Sequence, residues 1–241
     1  MASIDDWRID AAANLAPPDG RRVYLTCTGD AGALGQIAFF APSPVALALN
    51  TSYAAALEAE SHKQNLEFRE VPSPDGPMRL VSSTAISHLY DSMEKSMVAV
   101  FFAYQALEAF CNDQLFKSPV DSIRMSDKRE ERVIDRREAE RTLSTSEKLG
   151  EVLPVVLNVP TPKGTVIWQD FRSLEDMRDA VVHLKNQTVR HHDQSKEPHQ
   201  TFVYMIAADA RRWPRIAVAT IRHFISGTTP DWFVEVSRRV A

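Results

Sequence analysis

Cysteine is almost missing from this chain: Cys27 and Cys111 are the only two among 241 residues. Neither sits in a Cys-x-x-Cys or Cys/His spacing, so nothing signals a disulfide framework or a structural zinc. Two free thiols suit a reducing, cytoplasmic setting. A long apolar run is missing too. Residues 31–57 carry no formal charge, but Gly35, Gln36, Pro42, Pro44, Asn50 and Thr51 interrupt them. A membrane span needs about 20 mostly apolar residues in a row, so no membrane partner is expected. The first residues, MASIDDWRID, are acidic and do not read as a secretory signal. Nor is there an excess of positive charge. The net charge is −4, which argues against a surface coated for nucleic acid but leaves room for one local basic cleft. GxGxxG, P-loop, GxSxG and HExxH patterns are all absent.

What is present divides near residue 83. Before it, Arg22–Cys27 and Gln36–Phe40 read as strands joined by a glycine-containing turn. Ser43 and Pro44 open a helix, because serine caps and proline suits a first turn. The alanine-rich run to Glu60 continues that helix. Leu66–Val71 and Met78–Ser83 flank PSPDGP and predict a hairpin. Residues 1–83 therefore form a small mixed α/β unit.

After residue 83 the apolar period becomes helical. Ser83 or Thr84 caps a long helix to about Lys117, with a stripe of Ile86, Leu89, Met93, Met97, Val100, Tyr104, Leu107, Cys111 and Leu115. Pro119 ends it. The mixed charges of 121–141 predict a solvated linker or exposed helix end. A second helix is expected over Arg137–Leu157, then a loop at NVPTPKG, then a helix over Trp168–Lys185. Gln187–Pro198 reads as a polar loop. Two further helices follow, Gln200–Phe224 with a break at Pro214 and Asp231–Val240. The fold class is mainly α: an antiparallel four- to five-helix bundle over 84–241 with a small N-terminal α/β extension.

The helix at 168–185 carries the chemistry. Phe171, Leu174, Met177, Val181 and Leu184 form its core stripe, and that stripe accounts for the fold. It does not account for Arg178, Asp179 and His183. Asp179 and His183 are four apart and can hydrogen-bond, fixing the imidazole's tautomer or its charged form. Arg178 and His183 diverge by about 140° on a straight helix. Two copies related by a dimer axis would bring the arginine of one to the histidine of the other. A plainer reading stays open: Arg178 as a surface arginine paired with Glu175 or Asp179, and His183 as a helix-end histidine. Glu108 and Asn112, on the long helix near its apolar stripe, are candidate supporting residues, since a carboxylate close to a core needs a partner.

Arg178-Asp179-Ala180-Val181-Val182-His183 resembles the Arg-polar-x-x-x-His motif of the HEPN superfamily, and Ala103–Asp113 resembles that family's first bundle helix. The resemblance covers about residues 84–226; residues 1–83 have no counterpart. It implies metal-independent RNA cleavage by a homodimer, with Arg178 and His183 catalytic and Asp179 in support. It also implies toxin or defence roles for many members, with an antitoxin or neighbouring-gene protein as partner. Other members only bind partners. Arg190, His191, His192 and Lys196 would then touch RNA phosphates. His183, His191, His192, Asp193 and His199 match no ligand spacing, so no metal or cofactor is expected, and a metal-dependent hydrolase is the weaker alternative.

Overall fold

Ser43 accepts a hydrogen bond from the Ala46 amide at 3.3 Å, and Pro44 occupies the first turn behind it. That pair starts α1 (Pro44–Gln64) where the sequence places it. The computed structural model describes residues 6–10, 24–74, 76–127, 130–183, 198–227 and 229–241. Two short antiparallel hairpins flank α1. The first pairs β1 (Thr26–Asp30) with β2 (Gln36–Phe40), and the second pairs β3 (Phe68–Val71) with β4 (Met78–Val81). β1 runs further along the chain than expected. The turn lies at residues 31–35, where Gly32 and Gly35 take φ of 62° and 69°, a left-handed backbone that costs glycine little.

α2 (Ile86–Lys117) follows a 3₁₀ turn at Ser83–Ala85, whose N-cap is Ser82. It packs antiparallel to α1: Ser52 Oγ donates to the Ala99 carbonyl at 2.7 Å, while His62 meets His88 nearer the other end. The seam is built from small residues. Ser52, Ala55, Ala56 and Ala59 of α1 face Ser92, Ser96, Ala99 and Ala103 of α2, all buried. Short side chains let two helices approach closely. This revises the predicted stripe. Val100, Tyr104, Leu107, Cys111 and Leu115 are buried, but Ile86 is exposed, because the first half of α2 turns its small residues inward.

The charged segment at 121–141 is not a linker. It forms a hairpin of β5 (Ser122–Asp127) and β6 (Glu130–Asp135), then α3 (Arg136–Thr142). Ile123 and Ile134 are register partners and both are buried, so one apolar residue per strand anchors the hairpin. The expected helix over Arg137–Leu157 is broken. Leu143 and Ser144 are extended, and Ser144 restarts the helix through a capping box with Glu147. The short α4 (Thr145–Glu147) passes through a π-helical turn at Lys148–Val152 into α5 (Leu153–Leu157).

α6 (Val166–Val182) is capped by Thr165 and buries Phe171, Leu174, Met177 and Val181, as the stripe predicts; Leu184 and Lys185 lie outside the described residues. The following helical region breaks at residues 208–211 rather than at Pro214, giving α7 (Pro198–Ala207) and α8 (Arg212–Phe224). Pro214 sits in the first turn of α8, where its missing N–H forfeits no helical bond. α9 (Asp231–Val240) matches its expected bounds.

The fold is mainly α, a helical bundle with small antiparallel strand pairs. α2 contacts α1, α6, α7 and α8, and α8 also contacts α1, α6 and α9. One hydrophobic core runs from Val45 to Val240, so α1 packs within the bundle rather than in a separate core before residue 83. No helix among the described residues is long and apolar enough to cross a membrane.

Candidate functional site

The apolar stripe of α6 sets the geometry of its polar groups. Phe171 packs flat against Tyr104 of α2, with ring centroids 6.4 Å apart and planes 19° apart, and also meets Trp168 at 5.2 Å. Glu175, next to Leu174, is carried into the interior with only 8% of its surface exposed. A buried carboxylate needs hydrogen-bond donors. Ser146 Oγ lies 2.7 and 2.8 Å from its two oxygens, the Tyr104 hydroxyl donates at 3.2 Å, and Arg172 forms an ion pair with Oε2. Burial pushes the Tyr104 hydroxyl pKa upward, and the Glu175 charge adds to this against opposing effects of Thr145 and Arg178. The phenol therefore stays protonated and able to donate.

Arg178 lies one turn further on. Its guanidinium sits over the Tyr104 ring, 4.0 Å from the centroid, and its Nη1 is 2.8 Å from Asp179 Oδ1. Both contacts hold the group in place. Its Nε is buried without a hydrogen-bond partner among the described residues. The expected side-chain bond between Asp179 and His183 does not form. Asp179 turns to Arg178 instead, and His183 meets Asp179 only through its backbone N–H, which donates to the Asp179 carbonyl at 2.9 Å. His183 is the C-cap of α6, with φ −107° and ψ 38°. It has left helical geometry, so the i, i+4 side-chain relation no longer applies.

That departure also changes the relation between Arg178 and His183. Within a single chain both line one open cleft of about 760 Å³, together with Tyr104, Glu108, Thr145 and Asp179. The exposed imidazole of His183 takes no partner among the described residues. Glu108 stands exposed on the cleft wall and does not pair with Arg178, whose charge is already engaged by Asp179. Asn112 has a different task. Its Oδ1 accepts from Nζ of Lys148 at 2.9 Å, and the Glu140 carbonyl accepts from the same ammonium at 2.7 Å. Lys148 is almost wholly buried, so Asn112 satisfies a core lysine rather than supporting the cleft. Arg190, His191, His192 and Lys196 lie outside the described residues, as does Asp193.

Three cleft residues escaped the sequence reading. Tyr104 is hidden in an apolar stripe, and Thr145 sits behind an unforeseen helix break. Glu175 had a readable signal, because a carboxylate beside Leu174 on a core stripe must find donors. Chemically, an open imidazole can take or give a proton, and a fixed guanidinium can hold an anionic oxygen. No group of His, Cys, Asp or Glu among the described residues of this cleft brings three metal-ligand atoms together. Comparison of the chain with protein-family models, with curated proteins and with solved structures finds no match.

Proposed function

We propose that the chain is a metal-independent endoribonuclease of HEPN type, acting in the cytoplasm as a homodimer. The observation that supports this reading best is the shared cleft: both polar ends of the Arg-x4-His motif line it, and the imidazole is exposed and without a partner among the described residues. His183 removes the proton from a ribose 2′-hydroxyl, whose oxygen attacks the adjacent phosphorus. The 5′-oxygen leaves with a proton from the second histidine of the dimer. Arg178 steadies the charge that develops on the phosphate oxygens. The products are a 2′,3′-cyclic phosphate and a 5′-hydroxyl. Asp179 assists by orienting Arg178, and a toxin or defence role with a protein antitoxin fits this chemistry.

The test is cleavage of end-labelled RNA in the presence of EDTA by wild-type, His183→Ala and Arg178→Ala proteins. Cleavage by the wild type alone is the expected result. Equal cleavage by His183→Ala would refute the assignment.

A second reading is a non-catalytic dimeric binding module on the same fold. It is favoured by the acidity of the cleft, where Glu108, Glu175 and Asp179 outnumber a single arginine already paired with Asp179. A folded wild type that cleaves no RNA but forms a dimer supports this reading instead.

A further inference from the structure

The joint between the last turn of α1 and the first turns of α2 gathers three side chains, one from α1 and two set three apart on α2. His62 Nδ1 and His88 Nδ1 are 3.1 Å apart, and Asp91 Oδ2 lies 3.8 Å from His62 Nδ1. The ligand atoms of all three fall within 4.8 Å of one another. We propose that His62, His88 and Asp91 bind a divalent transition-metal ion of the zinc class.

Coordination geometry supports this. Zinc binds imidazole nitrogen and carboxylate oxygen at about 2.0–2.2 Å, so neighbouring ligand atoms around a tetrahedral ion sit roughly 3.3 Å apart. The separations of 3.1 and 3.8 Å bracket that value. Two imidazoles and one carboxylate are a donor set for borderline divalent metals rather than for calcium or magnesium, which prefer oxygen alone.

The rival explanation is a histidine–histidine hydrogen bond, which accounts for the 3.1 Å contact. For the 3.8 Å approach of Asp91 the rival is an ion pair with a charged His62 ring, whereas one bound ion accounts for both separations together. The neighbouring cations do not crowd that point. Lys63 is held by Glu60 at 2.8 Å and by the Ala208 carbonyl, and Lys95 is paired with Glu58. All three ligands stand on helices, with His88 and Asp91 one turn apart on α2. The close α1–α2 seam fixes His62 against them, as a metal site requires. The side chains of His62 and Asp91 remain 28% and 48% exposed, which leaves an ion a route in and a coordination position open to water.

This site is separate from the cleft. His88 and Tyr104 are sixteen residues apart on one helix, about 24 Å along its axis. Its failure would therefore leave the nuclease reading untouched, and the reverse holds too.

The test uses the full, tag-free chain stripped with EDTA and desalted. Titration with Co²⁺ is followed by visible absorption, and then by displacement with Zn²⁺. We expect one equivalent per chain, with affinity falling at least about 100-fold in His62→Ala and in His88→Ala, since even residues behind a direct ligand cost 10–100-fold. Asp91→Asn weakens binding less. Zn²⁺ also raises the melting temperature of the wild type but not of the histidine variants. Should an alanine variant fail to fold by circular dichroism, His88→Gln takes its place. Absence of saturable binding overturns the proposal. So does an equivalent that survives both histidine variants, or one that disappears only in His191→Ala/His192→Ala.

Discussion

Glu175 and His183 lie eight residues apart at the same cleft, yet the protein treats them in opposite ways. Glu175 is buried and receives hydrogen bonds or an ion pair from Ser146, Tyr104 and Arg172. His183 is exposed at the helix end and makes no side-chain hydrogen bond or ion pair among the described residues. A polar group that holds a fold together must be satisfied within it. An exposed imidazole without such bonds adds little to the fold and is open to solvent or a ligand. The contrast marks Glu175 as a group the fold depends on and leaves His183 outside that network.

The largest effect is expected at His183. His183→Ala should lower RNA cleavage about 10²–10⁴-fold, the usual range for a general acid or base. Its unfolding free energy from urea denaturation should stay within about 0.5 kcal/mol of the wild type, as for other exposed positions. A large loss of stability would place His183 with Glu175 as a structural group. Phe171→Ala sets the scale of the apolar face. Removing a wholly buried ring stacked on Tyr104 should cost about 3–5 kcal/mol by the same measurement.

Glu175→Ala should cost about 1–3 kcal/mol, because it leaves the Tyr104 hydroxyl and Ser146 without their acceptor. A neutral result there would show that solvent replaces the network and that the cleft is looser than its geometry. The smallest effect is expected at Glu235 of α9. Hydrogen bonds from Arg238 and Arg239 hold its carboxyl at about 2, below the ordinary 4.5. A depressed carboxyl pKa stabilises the fold above the ordinary value, and that contribution disappears as pH falls from 4.5 toward 2. Glu235→Gln should flatten this part of a melting-temperature profile against pH.

The helical skeleton was legible because periodicity and capping are local. Ser43-Pro44, the α6 stripe, the bounds of α9 and the strand Gln36–Phe40 all rest on residues close in sequence. The β5–β6 hairpin was not legible, because two apolar residues per strand (Ile123 and Met125, Val133 and Ile134) are all that mark it within a run of charges. The break at Ser144 had a local signal in Ser144-Thr145-Ser146-Glu147, a capping-box pattern that the surrounding leucines obscured. The motif residues Arg178 and His183 could be picked out from sequence, as could the pairing of Arg178 with Asp179, but contacts from other elements could not. The ring beneath Arg178 comes from α2, and the hydroxyls facing Glu175 come from α2 and α4. Long-range packing decides such meetings.

The two thiols described at the outset differ in a way that gives the molecule a built-in clock. Cys27 is partly exposed on β1, whereas Cys111 is fully enclosed at the middle of the bundle, where burial drives its pKa far above the ordinary thiol range. An alkylating reagent needs the thiolate. It therefore marks Cys27 in the folded chain and reaches Cys111 only when α2 separates from its neighbours. The rate of the second labelling step measures how often the bundle opens.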